Sequence, residues 1–238
     1  MKMMKPFSGL ALLAIFIAGT ALANEAGISA AMQKRFPYQK LVSVTKTPYF
    51  GLYEVVFDDQ LVYADEKLSY MISGSVIDLR TMQNLTELRE KALFAVNLNT
   101  LPLDLALKRV KGNGSRKVVV FADPNCSFCK RLEKEMVNLN NLTTYIFPLS
   151  LLNGSEEKNR AIWCSSDRLK AWDDTMLRNV SPTAEKKCDT AALTKIAAMA
   201  KDRRVNITPT LIFEDGLVKP GIMTTDLLEQ QLVASGSK

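Results

Sequence analysis

The segment FADPNCSFCKRLEKEM, residues 121–136, contains Cys126 and Cys129 in a Cys-x-x-Cys arrangement. Two sulfurs at this spacing can bind a metal, form a structural disulfide or exchange disulfides with other thiols. A zinc site needs about four ligands, usually Cys or His. The chain has no histidine, and Cys164 and Cys188 could supply two more ligands but at an unfavourable spacing. A structural bridge within the pair would close too short a loop to stabilise the fold much. The pair is therefore predicted to be redox-active, with no metal and no cofactor.

The two cysteines are predicted to differ in reactivity because of where they lie. The apolar run KVVVF, residues 117–121, predicts a central strand buried on both faces, and Cys126 follows it where a helix would begin. The free N–H groups and positive dipole end of a helix N-terminus favour a thiolate. Cys129, Leu132 and Met136 recur at three- and four-residue steps, which predicts a stripe facing the core. We therefore expect Cys126 to attack and Cys129 to resolve the mixed disulfide.

Cys164 and Cys188 lie in helical sequence without features that would activate a thiol. The chain has 4 cysteines, and an even number in an oxidising compartment favours disulfides. A bridge between these two would close a loop of the size that contributes ~3 kcal/mol in the chain-entropy model. We predict a structural disulfide across a helical insertion, with a second redox pair as the alternative.

Residues 1–23 predict a secretory signal peptide. Lys2 and Lys5 precede an apolar run of about a dozen residues, and the motif ALA follows it. The run is shorter than the ~20 apolar residues that a membrane-spanning helix needs. We expect cleavage after Ala23 and a soluble mature chain in the periplasm. The charges, 31 Lys and Arg against 25 Asp and Glu, are mixed along the chain and do not indicate nucleic-acid binding.

The mature chain is predicted to have three parts. Residues 24–84 combine a helical pattern with several β-prone runs and predict a small α+β domain. Residues 85–97 predict an exposed connecting helix, and residues 98–238 predict an α/β domain. From Lys117 the predicted order in that domain is strand, helix, strand, helical insertion, hairpin and helix.

The predicted hairpin begins at Thr208-Pro209 and turns at Asp215-Gly216. Proline cannot donate to a sheet ladder, so it suits the start of a strand. A peptide bond before proline can also be cis at low cost.

Gly74 is predicted to lie at a dimer interface. The run YMISGSVIDL, residues 70–79, predicts a strand with this glycine in its middle. Glycine weakens a strand unless a partner must approach closely there, and a long apolar edge strand promotes aggregation unless it is paired. We predict that this edge pairs with its own copy about a twofold axis. A bulge in an internal strand is the alternative.

The chain after the signal peptide resembles the DsbC family of periplasmic disulfide isomerases, with DsbG as the sister branch. The resemblance rests on the order of the elements, the Cys-x-x-Cys helix, Thr-Pro before a hairpin and the segment AIWCSSDRLKAWDDTM, residues 161–176. It implies a cystatin-like N-terminal dimerisation domain, a linker helix, a thioredoxin-fold catalytic domain with a helical insertion, and a V-shaped homodimer.

The resemblance also implies roles for individual residues. Cys126 would be the nucleophile and Cys129 the resolving thiol. Thr208 and Pro209 would form a loop with a cis bond that holds the substrate backbone opposite the cysteines. The other two cysteines would form the structural disulfide of the family.

Ser127 and Phe128, which we expect to contact substrate, depart from the family pattern. The isomerases carry Gly-Tyr between the cysteines, and the sister branch carries Pro-Tyr. Because this dipeptide tunes the helix terminus, its change bears on the redox potential.

The expected activity is thiol–disulfide exchange on misfolded or misoxidised exported proteins, by isomerisation or by reduction. Such an enzyme must keep Cys126 reduced, and the resemblance points to a membrane reductase of the DsbD type as the electron donor. The alternatives are a dithiol oxidase and a DsbG-like holdase chaperone whose thiol chemistry is secondary.

Overall fold

The computed structural model describes most of the chain, in three stretches: residues 19–58, 60–183 and 188–236. Most of the predicted signal peptide lies outside these residues, and Gly19 to Ala23 form the start of a helix. No helix among the described residues is long and apolar enough to cross a membrane. The chain divides into two compact units, with the boundary between Thr86 and Glu87. The limits predicted for the domains and the linker stay predictions.

In the N-terminal unit a helix packs against an antiparallel sheet. Its described elements are α1 (Gly19–Arg35), β1 (Leu41–Lys46), β2 (Tyr53–Phe57), β3 (Leu61–Ala64), β4 (Met71–Ile72), β5 (Ile77–Asp78) and β6 (Gln83–Asn84). Strands β1 to β4 form one sheet in sequence order, and β5 pairs with β6 in a second sheet. Ile28 and Met32, four residues apart on one helix face, pack with Tyr53, Val55 and Phe57 in the core.

The single strand predicted over residues 70–79 is wrong. Strands β4 and β5 lie near its two ends in different sheets, and Gly74 lies at a bend between them. The run Ser73 to Ser75 breaks the strand, because serine and glycine favour turns even inside an apolar run. A Cβ added at Gly74 would meet no atom within 4 Å. The dimer contact predicted for Gly74 stays a prediction.

The second unit contains a five-stranded mixed sheet with helices packed against it. Its described elements are α2 (Leu85–Phe94, which begins before the boundary), β7 (Leu107–Lys111), β8 (Arg116–Ala122), α3 (Ser127–Met136), β9 (Leu142–Pro148), α4 (Ser155–Trp163), α5 (Arg168–Arg178), α6 (Ala191–Asp202), β10 (Thr210–Phe213), β11 (Val218–Pro220) and α7 (Thr225–Gly236). The strand order is β11-β10-β8-β9-β7, in which only β8 and β9 are parallel. This arrangement confirms the predicted order of elements from Lys117.

Strand β8 lies at the centre of the sheet, as its apolar run predicts. Val118, Val119, Val120 and Phe121 are all buried, because β9 and β10 flank the strand and both faces are covered. The C-terminal end of this strand leads directly to the cysteine pair. Strand β7 at the sheet edge was not predicted, since its sequence LKRVK is mostly charged.

The helical insertion consists of α4, α5 and α6. Cys164 follows α4, Cys188 precedes α6, and the two form a disulfide with a Cα–Cα distance of 5.5 Å. The bridge therefore ties the first helix of the insertion to the start of the last one.

The β10–β11 hairpin has a three-residue loop and not the predicted two-residue turn. Phe213 N donates to Leu217 O at 3.0 Å, and Gly216 adopts a φ of 88°. A Cβ on Gly216 would lie 3.1 Å from Val96 O. The loop also contacts the end of α2, since Lys91 Nζ lies 2.7 Å from Asp215 Oδ2.

Candidate active site

Cys126 caps the N-terminus of α3. Its backbone is extended, with φ −77° and ψ 119°, and the helix begins at the next residue. A tight turn leads from β8 to this cap, in which Cys126 N donates to Asp123 O at 3.1 Å. The predicted helix start is therefore confirmed, and Cys126 lies beside the unpaired N–H groups of the first helical turn.

Cys129 lies one turn further along and faces the core. It is 1% exposed, against 7% for Cys126. Asp123 N donates to its sulfur at 3.5 Å. Burial raises the pKa of Cys129 well above that of a free thiol, and the adjacent Cys126 raises it further. Neither cysteine forms a disulfide in this structure.

The Thr208–Pro209 loop lies against the first cysteine. The Cys126 Sγ–H donates to Thr208 O at 3.3 Å, across 82 positions of sequence. The Thr208–Pro209 peptide bond is cis, the form that the resemblance implies. Gly221 N donates to Pro209 O at 2.7 Å, which anchors the loop to the end of β11. The structure therefore places this loop in direct contact with Cys126.

The dipeptide between the cysteines is open to solvent. Ser127 is exposed, and the ring of Phe128 is 52% exposed. The Arg131 guanidinium lies 5.9 Å from the centroid of that ring. Ile207, next to the proline loop, is 51% exposed. Two large apolar side chains close in sequence to the site, Phe128 and Ile207, are therefore exposed to solvent.

Positive charge surrounds the start of α3. Lys158 Nζ donates to Asn125 Oδ1 at 2.5 Å, and Lys130 Nζ donates to Asn179 Oδ1 at 2.8 Å. Desolvation lowers the pKa of Lys130, and the charges of Lys158 and Lys134 lower it further. Two ammonium groups, those of Lys130 and Lys158, therefore lie near the start of α3.

The sequence prediction missed Asp123, which is fully buried three residues before Cys126. Its carboxylate accepts hydrogen bonds from the 151–155 segment as well as from its own turn. The sequence prediction also missed three exposed apolar residues: Leu151, Leu152 and Ile207, which precedes Thr208. The sequence does show a carboxylate directly after a predicted buried strand. It does not show which groups bind that carboxylate, because most of them are distant in sequence.

The predicted site residues therefore fall into separate groups. The structure brings together Cys126, Cys129, their intervening dipeptide and the proline loop. Cys164 and Cys188 are bonded to each other and do not supply ligands to the first pair. Among the described residues no three His, Cys, Asp or Glu side chains form a group that could hold a metal ion.

A cysteine pair at a helix start, after a central strand and opposite a cis-proline loop, defines a thiol–disulfide oxidoreductase of the thioredoxin fold. Comparisons with known proteins agree. The family described as "Disulfide bond isomerase protein N-terminal domain" matches residues 19–87, and the family described as "Thioredoxin-like domain" matches residues 103–235. The α+β and thioredoxin-like parts predicted from the sequence are thereby confirmed.

Curated relatives narrow the assignment. The chain is 40% identical over 201 residues to the "Probable thiol:disulfide interchange protein DsbC" of Bordetella parapertussis, covering 84% of this chain and 71% of that protein. It is 27% identical over 245 residues to the "Thiol:disulfide interchange protein DsbC" of Escherichia coli, covering 98% of this chain and 100% of that protein. A solved disulfide interchange protein from Neisseria gonorrhoeae superposes with a TM-score of 0.54 at 35% identity, covering 58% of this chain and all 100% of that chain.

The chain belongs to the DsbC family of thiol:disulfide interchange proteins. The family resemblance inferred from the sequence is confirmed, and thiol–disulfide exchange is the activity of this enzyme.

Proposed function

We propose that this enzyme isomerises non-native disulfides in exported proteins, with Cys126 as the nucleophile. The Cys126 thiolate attacks one sulfur of a substrate disulfide, forms a mixed disulfide and releases the other substrate sulfur as a thiolate. A substrate thiolate then attacks the mixed disulfide or another disulfide of the same chain. When it attacks the mixed disulfide, a new substrate disulfide forms and the Cys126 thiolate leaves, so the enzyme is unchanged.

Reduction of the substrate disulfide competes with isomerisation from the same mixed disulfide. The Cys129 sulfur, as a thiolate, attacks Cys126 Sγ, releases the substrate thiolate and leaves the enzyme with a Cys126–Cys129 disulfide. Two electrons from a dithiol donor must then restore the pair, and we propose a membrane reductase of the DsbD type for this step. The resting thiol state of the protein, measured in cells with and without such a reductase, tests this partner.

The difference between the two cysteines carries this proposal. Cys126 faces the Thr208 carbonyl at 3.3 Å, whereas Cys129 is buried and its pKa is raised. A resolving thiol that is mostly protonated attacks slowly, because only the thiolate is the nucleophile. The mixed disulfide then persists long enough for substrate thiols to rearrange. We propose contacts to the substrate chain from Thr208, Pro209 and the exposed Ser127-Phe128 pair.

Trapping experiments test the assignment. Cys126→Ser is expected to abolish refolding of a scrambled substrate, whereas Cys129→Ser retains part of the activity and accumulates mixed disulfides, measured by mass spectrometry. If the protein were a holdase, Cys126→Ala would increase the yield of refolded substrate as much as the wild-type protein does. Mixed disulfides at Cys129 in the Cys126→Ser variant would contradict the assignment of the nucleophile.

We propose that the chain is exported to the periplasm by the leader that ends at Ala23. The Cys164–Cys188 disulfide supports an oxidising compartment. We expect mass spectrometry of the exported protein to show that its N-terminal residue is Asn24.

We also propose a homodimer formed through the N-terminal unit. Large apolar side chains are exposed along the segment from Tyr70 to Met82, in contrast to the buried core of the same unit: Tyr70, Met71, Ile72, Ile77, Leu79 and Met82. Strand β4 is at the end of the sheet order, so its outer edge has no partner strand among the described residues. A second copy could cover both the edge and the apolar side chains.

Gly74→Arg tests this dimer without disturbing the protomer. A side chain at Gly74 meets no atom within 4 Å, so the unit itself should tolerate the arginine. We expect monomers in sedimentation, with exchange on small disulfides retained and isomerisation of proteins lost. Gly27→Arg is the matched control, because a Cβ there also meets nothing within 4 Å, and it should stay dimeric. A Gly74→Arg protein that remains dimeric at micromolar concentration would refute this interface.

A further inference from the structure

The carboxylate of Asp123 is fully buried beside the active site and is bonded only to neutral donors. Both of its oxygens accept two hydrogen bonds, from the following groups: Asn125 N at 2.7 Å and Ser155 Oγ at 2.5 Å to Oδ1, Leu151 N at 2.7 Å and Leu152 N at 3.0 Å to Oδ2. No lysine or arginine of the described residues forms an ion pair with it. Burying a carboxylate is costly unless its lone pairs are satisfied, and here four donors satisfy them.

These bonds join the active-site turn to a segment that is distant in sequence, residues 151–155. Asn125 reinforces the connection, since its Nδ2 donates to Asn153 O at 2.9 Å. Two consecutive backbone N–H groups of the segment point at one carboxylate oxygen, which fixes its backbone. The side chains of Leu151 and Leu152 remain at the surface, each 47% exposed.

Asp123 also contacts both cysteines through its backbone. Its N–H donates to Cys129 Sγ at 3.5 Å, and its carbonyl accepts from Cys126 N at 3.1 Å. One residue therefore connects the Cys129 sulfur and the Cys126 backbone to the leucine-bearing segment. A carboxylate needed only to fill the core would be replaceable by an apolar side chain, whereas this one sets the position of a surface segment.

We propose that Asp123 is a positioning residue that holds Leu151 and Leu152 beside Cys126, where they form one apolar wall of the site for unfolded substrate chains. Phe128 and Ile207 are also exposed, and they lie next in sequence to Cys129 and to Thr208. These exposed apolar side chains contrast with the thiol of Cys126, which is only 7% exposed. This inference rests on the proposed function and adds the residue that sets its substrate contacts.

Asp123→Asn in the full-length protein tests the proposal. The amide keeps the shape of the side chain but replaces one acceptor oxygen with an NH₂ group. Either Leu151 N and Leu152 N, or Asn125 N and Ser155 Oγ, then lose their acceptor. We expect the KM for scrambled ribonuclease to rise about tenfold, with kcat reduced less than about threefold. Amide hydrogen exchange at Leu151 and Leu152 should accelerate in the same variant.

A double-mutant cycle separates this role from a general effect on stability. Leu151→Ser/Leu152→Ser should raise the KM as Asp123→Asn does, and combining the changes should add little, because both remove the same wall. Leu227→Ser, at another exposed leucine on α7, is the matched control and should leave the KM unchanged. An unchanged KM in Asp123→Asn, or effects that multiply in the combined variant, would overturn the proposal.

Two further measurements keep the outcome decisive. If Asp123→Asn does not fold, Ser155→Ala removes one donor to the same carboxylate and should raise the KM by about threefold; an unchanged KM there counts against the proposal. Refolding of scrambled ribonuclease by the wild-type protein, compared with Cys126→Ser, tests the proposed function alone. Failure of the wild-type protein to refold this substrate would overturn the function, whereas normal refolding with a KM independent of Asp123 would overturn only this inference.

Discussion

Helix α3, which follows Cys126, is held by a buried ion-pair network, and breaking this network should destabilise the second unit. Glu133 of α3 accepts from Arg109 Nη1 and from Trp172 Nε1, each at 2.7 Å. The Glu133 side chain is 4% exposed and the Arg109 side chain 14%. Arg109 also pairs with Asp173 of α5. The network therefore connects the active-site helix to the edge strand β7 and to the helical insertion.

Arg109→Met is the informative perturbation. Removing one partner of a buried ion pair costs ~3–5 kcal/mol, because the other charge is left buried. Glu133 would keep its bond from Trp172, and the Asp173 side chain is 27% exposed and can be hydrated. These two features place the expected loss at the lower end, about 3 kcal/mol. Adding Glu133→Gln removes the stranded charge but keeps an acceptor for Trp172, so the double variant should recover about half of the loss.

Urea unfolding followed by tryptophan fluorescence measures this loss in the full chain. The chain has 2 tryptophans, Trp163 and Trp172, so the signal reports the second unit alone. With an m-value of about 2 kcal/mol/M, the midpoint should fall by roughly 1.5 M in Arg109→Met. Lys170→Met, which removes an exposed i,i+4 pair with Asp174, is the control and should cost less than about 0.5 kcal/mol.

Two results would refute this reasoning. One is a loss below about 1 kcal/mol for Arg109→Met, the value expected of a surface pair. The other is a double variant whose loss equals the sum of the single losses, because a stranded charge would then not be the cause.

The remaining predictions concern the cysteines. Because burial raises the pKa of Cys129, its alkylation in Cys126→Ser should stay slow until the pH is well above ~8.5; half-maximal rate below that pH, by mass spectrometry, would contradict this. The unfolded chain loses this proton at lower pH than the folded one, so the unfolding free energy of the reduced protein should fall as the pH rises above ~8.5. In the oxidised protein, Cys164–Cys188 should stay bonded when mild reductant opens Cys126–Cys129. Mass mapping after graded reduction checks this, and simultaneous opening of both bridges would indicate a second redox pair.

The catalytic pair could be predicted from the sequence because its signals are local. The apolar run of β8 and the stripe formed by Cys129, Leu132 and Met136 depend only on residues within one strand and one helix. Together they fix which cysteine lies at the helix start and which faces the core. The whole order of strands and helices from Lys117 follows from the same short-range patterns.

Features that depend on distant contacts could not be predicted in this way. Three of the four donors to the Asp123 carboxylate lie 28 to 32 positions away, and nothing near Asp123 in the sequence identifies them. Strand β7 is charged and forms only because β9 offers it a free edge. The run from Tyr70 to Leu79 is β-prone on both sides of Ser73 to Ser75. Its division between two sheets also depends on the pairing of its ends with β3 and β6, which the run itself does not specify.

The raised pKa of the buried Cys129 thiol bears on the choice between isomerisation and reduction. Both paths start from the same mixed disulfide on Cys126, and they differ in which thiolate attacks next. The thiolate fraction of Cys129 falls tenfold for each unit by which its pKa exceeds the pH, whereas cysteines in an unfolded substrate keep a pKa near ~8.5. Burial therefore slows the attack of Cys129 on Cys126 relative to the attack of substrate thiols. We infer that the core-facing position of Cys129, three residues after a helix cap, biases the enzyme toward rearranging substrate disulfides and away from reducing them.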